Sequence, residues 1–163
     1  FGDSRFQHLP SNIHIAFMPN TIKVTTTVNA PVEKVWGIFM DPDSMQHWLT
    51  GFISAEHISG PKVQPGSVNK IRFKERGREI EVIETVLEVR ANEQYSFRME
   101  HKSLESLITV RFVSIGQVTE IIQTVQFSAK GFFMKLMMPL MKGGMKKGML
   151  RDLQNLKSFI ESK

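Results

Sequence analysis

Along much of this chain apolar and polar residues alternate one by one, which is the period of a strand with one face buried. The segment "TIKVTTTV" (21–28) opens with that alternation in β-branched residues, and directly after it the period changes. In "NAPVEKVWGIFMD" the apolar positions Val32, Val35, Trp36 and Phe39 lie three and four apart, which predicts a helix over 31–40. Asn29 is expected to cap it, Pro31 to sit in its first turn and Glu33 to favour its positive end. Helical chemistry restarts after Pro42 in "DPDSMQHW", with Asp41 as a cap, and predicts a second short helix ending near Trp48. Alternation then returns in segments 52–58, 67–76, 78–90, 94–101, 104–113 and 118–129, each closed by a short run of turn residues. Turns this short favour antiparallel neighbours, because parallel pairing needs a long crossover.

The last segment changes period once more. Apolar residues from Phe133 through Leu136, Met137, Leu140, Met141, Met145, Met149, Leu153 and Leu156 to Ile160 follow steps of three and four, so one long amphipathic helix is expected over 132–160. Pro139 and the pair Gly143-Gly144 are expected to kink or loosen it. The resulting fold class is α+β: a seven-stranded curved antiparallel sheet wrapped around a long C-terminal helix, with two short helices between strands 1 and 2. One sheet face is buried and the other wet, as the half-polar alternation requires.

Composition narrows the chemistry. The 163 residues suffice for one domain, and the absence of cysteine removes disulfides, thiolate zinc sites and cysteine nucleophiles and is compatible with a reducing cytoplasm, the compartment expected here. Five histidines are scattered at His8, His14, His47, His57 and His101 with no pair at metal-ligand spacing, so neither a metal nor another cofactor is expected. The formal charge of +5 is concentrated near the C-terminus, where Lys130, Lys135, Lys142, Lys146, Lys147 and Arg151 occur with no acid among them. That run is either a solvated helix face or a patch attracted to an anionic membrane surface. A single tyrosine and no interleaving of basic and aromatic residues on a strand argue against nucleic acid as a partner. No apolar run approaches the length of a membrane-spanning helix. Residues 1–17 lack clear periodicity and read as an N-terminal extension, a tag remnant or a misassigned upstream start, which leaves 18–163 as the single domain.

Six of the ten methionines fall between Met134 and Leu150. Unbranched thioethers adapt to changing shapes where Leu, Ile and Val would specify one packing.

The element order and several phrases resemble the START-like superfamily, also called SRPBCC, which includes birch-pollen allergens, polyketide cyclases and lipid-transfer domains. The phrases are "VNAPVEKVWGIFMDPDSMQHWL" (28–49), "GPKVQPGSV" (60–68), "VIETVLEVRANEQYSFRME" (82–100) and "LRDLQNLKSFIES" (150–162), so the resemblance spans nearly the whole domain. It implies a helix-grip fold with a cavity between sheet and long helix, covered by the two short helices and used for a hydrophobic small molecule or lipid. On that implication the methionines of the long helix become a wall for an apolar ligand of variable shape. Simple core packing is the competing reading of the same residues.

Strand parity supplies the other candidates. Tyr95, Phe97, Met99 and His101 share one face, as do Ile108, Val110 and Phe112, and Ile121, Gln123, Val125 and Phe127. Gln123 stands out as an amide on an apolar face that needs a partner. The expected ligand contacts are Trp36, Phe39, Phe73, Tyr95, Phe97, Met99, Ile108, Val110, Gln123, Met137, Met141 and Met145. No motif fixes a catalytic set, although His47, Arg72, Glu79, Glu81, Tyr95 and His101 are each capable of acid-base work. Two rivals to ligand binding remain: a polyketide-cyclase or dehydrase-like activity, which needs a titratable group inside the cavity, and activation of a chaperone's ATPase through the outer surface, which expects a filled core.

Overall fold

A computed structural model describes residues 20–102, 104–129 and 131–163; the extension expected over 1–17 lies outside the described residues. Strand β1 (Thr21–Val28) leads into α1 (Val32–Met40), a single 3-10 turn (Pro42–Ser44) and α2 (Met45–Trp48). Six further strands follow: β2 (Phe52–Ser59), β3 (Val68–Glu75), β4 (Arg78–Arg90), β5 (Gln94–His101), β6 (Leu104–Ile115) and β7 (Val118–Ala129). Helix α3 (Phe132–Glu161) ends the fold. The seven strands form one antiparallel sheet in the order β1-β7-β6-β5-β4-β3-β2, so β1 and β2, neighbours in sequence, stand at opposite edges. Helices α1 and α2 carry the chain from one edge to the other.

The alternation read from the sequence fixes which side chains point inward, because register aligns them in rows across the strands. One row runs Val86, Phe97, Ile108, Val125 and Ile22, and the next runs Tyr95, Val110, Gln123 and Val24. Apart from Gln123, every one of these is buried. A third row is polar on one side: His57, Asn69 and Glu84 stand opposite one another on β2, β3 and β4, followed by Met99, Ser106 and Phe127.

Helix α1 buries Val32, Val35 and Phe39 against this face. Its start differs from expectation. Pro31 is itself the N-cap and makes no side-chain cap bond, its carbonyl receiving the N–H of Val35 at 3.2 Å. Asn29 instead gives its backbone N–H to Glu161 Oε1 at 2.8 Å, so a residue expected to cap α1 is used to hold the end of α3. Asp41 does act as a cap: Oδ1 accepts from the Asp43 N–H at 3.1 Å and Oδ2 from the Ser44 hydroxyl at 2.6 Å, bonds that hold its carboxyl below the usual range.

Helix α3 runs unbroken through Pro139 and buries Leu153, Leu156 and Ile160. Its C-terminal half is pinned at two places. Lys157 Nζ donates to the Thr27 carbonyl at 2.6 Å beside Glu161, and farther up Asp152 accepts from both the N–H and hydroxyl of Thr50. Asn155 adds a bond to the Trp48 carbonyl at 3.3 Å. The N-terminal turns of the same helix bury Met138 but leave Phe132 84% and Leu140 76% exposed.

Candidate functional site

Between the inner sheet face, α2 and the middle of α3 lies a cavity of about 460 Å³. Its back wall comes from the rows described above: Phe97 and Ile108 from one, Tyr95, Val110 and Gln123 from the next, and Met99 beyond. Phe73 and Ile71 of β3 extend the wall toward the sheet edge. Phe39 closes one end, fixed by stacking on Trp48 at 5.5 Å between ring centroids and by edge contacts to Phe112 and Tyr95. Met45, Trp48 and Leu49 cover it from the α2 side, and Met149 and Leu153 from α3.

Apart from Gln123 on β7 and Asp152 on α3, the polar lining is gathered toward the β2–β3–β4 edge. Glu84 is buried, with 7% of its surface exposed. Its Oε1 accepts from Asn69 Nδ2 at 2.8 Å and from the Tyr95 hydroxyl at 3.4 Å. On the other side of Asn69, Oδ1 stands 3.2 Å from His57 Nδ1, while His57 Nε2 lies 3.1 Å from the Gly60 carbonyl. Ser67, fully buried, places its hydroxyl 3.4 Å from the same His57 Nδ1. Burial pushes the Glu84 carboxyl above its usual range, against the opposing pull of its bonds from Asn69 and Tyr95. The Tyr95 hydroxyl is also pushed up, first by burial and then by the neighbouring Glu84. Asp152, at the cavity mouth, is raised by burial in spite of its Thr50 bonds.

The rim includes the loop between β2 and β3, from which Lys62 and Val63 face the cavity. Val63 has φ of 55°, a left-handed backbone that a β-branched residue adopts at a cost. Gly60 opens this loop with φ of +79°, and a Cβ there would collide with the Gly66 carbonyl, so only glycine closes the loop on itself.

The structure brings Phe39, Phe73, Tyr95, Phe97, Met99, Ile108, Val110 and Gln123 together on the wall. Four expected contacts lie elsewhere. Trp36 turns away to pack edge-on against Phe112 at 5.3 Å. Met137, Met141 and Met145 are half-buried but do not line the cavity, since α3 reaches it only from Met149 onward, with Asp152 and Leu153. In "FFMKLMMPLM" nearly every position is apolar, so the helical period there has no unique phase; the observed inward side carries Met138, Met145, Met149 and Leu153. Of the residues singled out for acid-base work, Tyr95 alone lines the cavity. His47 is exposed and stacks on Phe159 at 4.7 Å, and His101 meets the Glu81 carbonyl at 2.7 Å. Glu84, Asn69 and His57 were not singled out by the sequence reading, yet parity contains the signal: in "IEVIETV" Ile80, Val82, Glu84 and Val86 share a face, and an acid among them needs a partner as Gln123 does.

A sequence profile described as polyketide cyclase / dehydrase and lipid transport matches residues 20–161. Comparison with curated proteins finds no match. Among solved structures, a protein from Thermus thermophilus superposes with a TM-score of 0.72 at 16% identity, covering 87% of this chain and 97% of its own. The ZhuI aromatase/cyclase from Streptomyces sp. R1128 gives 0.73 at 13% identity, with 86% and 93% covered. Ara h 8.0201 gives 0.68 at 16% identity, with 88% and 98% covered. At these identities the superpositions speak for the fold, the helix grip of a sheet around α3. Profile and fold cover the same span, and the chain belongs to the polyketide cyclase / dehydrase and lipid transport family of the START-like superfamily.

Proposed function

We propose that this protein binds a hydrophobic or amphipathic small molecule or lipid reversibly in the cavity between sheet and α3. The observation that carries the reading is the cavity itself: about 460 Å³, walled mainly by aromatic and aliphatic side chains, with most of its hydrogen-bonding groups at one edge. Small-molecule sites typically run from roughly 300 to 1,000 Å³ and are built in this way. A filled core, which an activator of a chaperone ATPase would have, does not describe this interior. Native mass spectrometry of freshly purified protein, with denaturing spectra and a solvent extract as controls, tests the reading. An adduct of a few hundred daltons lost on denaturation is the expected result; a clean apo mass together with no uptake of a neutral apolar dye counts against it.

A cyclase or dehydrase-like activity in the same cavity is the second reading, favoured by one observation: a buried carboxyl, Glu84, with a tyrosine hydroxyl beside it in the cavity wall. Turnover of a polyketone substrate by wild type and its loss in Glu84→Leu would support it.

We also propose that the first turns of α3 touch anionic bilayers. Phe132, Phe133, Leu136 and Leu140 are exposed there, Lys135, Lys146 and Lys147 are exposed on the same helix, and no acid occurs between Ala129 and Asp152. Apolar side chains inserting among headgroups while lysines meet lipid phosphates is the pairing such a surface fits. Flotation with phosphatidylglycerol vesicles, absent with phosphatidylcholine and lost in Phe132→Glu/Leu136→Glu, is the expected pattern. Equal flotation of that variant sinks the proposal.

A further inference from the structure

The two oxygens of Glu84 have different surroundings. Oε1 takes bonds from Asn69 and Tyr95, whereas Oε2 has no hydrogen-bond partner among the described residues, and Glu84 lines the cavity. A carboxyl with donors on one oxygen keeps its own proton on the other, because a proton on Oε1 would face the hydrogens of Asn69 and Tyr95. The buried position disfavours the ionised form, as found above. With the carboxyl neutral, Oε2 is a hydroxyl donor at the edge of an apolar space, and no acceptor for it occurs among the described residues. This oxygen is not sealed in the protein but open to the cavity, so an oxygen arriving with a ligand can meet it directly.

The charges around the cavity point the same way. Although the chain as a whole carries +5, the ionisable groups lining this space include the carboxyls Glu56, Glu84 and Asp152 against the single ammonium of Lys62. Glu56 is engaged with Lys70 at 3.2 Å and Asp152 with Thr50, so neither is available to share a proton with a second carboxylate. A ligand anion would leave water for a largely apolar space beside the buried carboxyl of Glu84.

We infer that Glu84 is the polar anchor of the cavity, donating a hydrogen bond from Oε2 to a carbonyl oxygen of an uncharged, otherwise apolar ligand, and that the site discriminates against ligands with a carboxylate head. The inference rests on the cavity being the ligand site. It adds the chemical class that the site takes and the atom that reads it.

Displacement of the neutral dye Nile red by methyl laurate, laurate and dodecane tests both levels separately, since the three share one chain and differ in the head. Wild type at neutral pH is expected to prefer the ester to the alkane by about three- to tenfold, the worth of one hydrogen bond, and to the anion by at least about tenfold. In Glu84→Leu the ester's advantage over dodecane falls to within about twofold, while dye and alkane still bind. Glu84→Gln retains an N–H donor at the same place and is expected to keep the preference. Circular dichroism and thermal melts establish that the variants are folded. Dye bound with equal ester and alkane affinity in wild type, or a preference unchanged in folded Glu84→Leu, overturns the anchor and leaves the cavity reading standing. Loss of the preference in folded Glu84→Gln also overturns it, because an amide N–H at the same place supplies the same kind of donor. Failure of folded wild type to take up dye or any of the three chains overturns both.

Discussion

Asn69 and Glu84 stand directly opposite each other on β3 and β4, and the amide of the first gives a 2.8 Å hydrogen bond to the carboxyl of the second. The pair crosses two strands that would otherwise place only Ile71 and Val82, also opposite each other, against the core at this end. Asn69→Leu removes the donor from Glu84 and the acceptor from His57 at once. A loss of roughly 1–3 kcal/mol is expected, the usual cost of orphaning a buried polar group. Urea denaturation of the two proteins measures it, and an unchanged midpoint would show that the bond contributes nothing net.

Glu84 also predicts a pH signature. Its folded-state carboxyl is raised above the ordinary value of 4.5, so the folded chain holds this proton more tightly than the unfolded chain does. The corresponding stability is present at low pH and is lost as pH rises from the ordinary carboxylate range to the folded value, above which it stays lost. Glu56, Asp152, His57, Lys62 and Tyr95 also line the cavity, so the comparison is with Glu84→Gln, which keeps all of them. Wild type is expected to lose ground to the variant across that window. Parallel stability curves would refute the assignment.

At the rim, Val63 holds a φ of 55° while 52% exposed, so it has little packing to compensate the backbone. Left-handed backbone costs a β-branched residue about 1–2 kcal/mol, and asparagine tolerates it better. Val63→Asn should therefore raise stability by about 0.5–1 kcal/mol on the same reasoning. Thermal melts read this directly, and a lowered melting temperature would mean that the Val63 side chain contributes more contact than its exposure indicates.

The methionines separate by position on α3. Met149 faces the cavity, whereas Met141 does not. Met149→Trp is expected to fill part of the space and weaken dye or ligand uptake about tenfold or more, since a cavity of this size has little room to spare. Met141→Lys should leave uptake within about twofold of wild type. The reverse ranking would move the site toward the start of the helix.

These positions also mark how far the sequence could be read. Strand parity alone places Tyr95, Phe97, Ile108, Val110 and Gln123 on one surface, because a period of two admits a single phase once a few polar residues stand opposite. The helix is harder. Where Gln, Asn, Lys and Ser interrupt the apolar residues, as from Leu153 to Ile160, the inward side is legible, but between Phe132 and Met141 there are too few polar residues to set the phase. Glu84 escaped for a different reason. Neighbouring acids at Glu79, Glu81 and Glu88 make it look like one of a solvated series; parity sets it on the apolar side, but register with Asn69 and the side-chain bond from Tyr95 emerge only in the folded sheet. The use of Asn29 to hold Glu161 rather than to cap α1 depends on residues at opposite ends of the domain, which no local pattern reveals.

The strand order has a consequence for how the molecule is made. β1 pairs with β7 and, among the described residues, with no other strand, so during synthesis it has no partner in this sheet until β7 has followed it. Strands β2 to β7 zip in sequence, each onto its predecessor, but Ile22, Val24 and Val28 keep an apolar edge open throughout synthesis. Closing so long a loop is slow, and an unpaired edge is the usual starting point for association between chains. The nascent protein is therefore most in need of shielding in the interval between making its first strand and its last, and a translation pause placed before β7 should increase aggregation more than one placed after it.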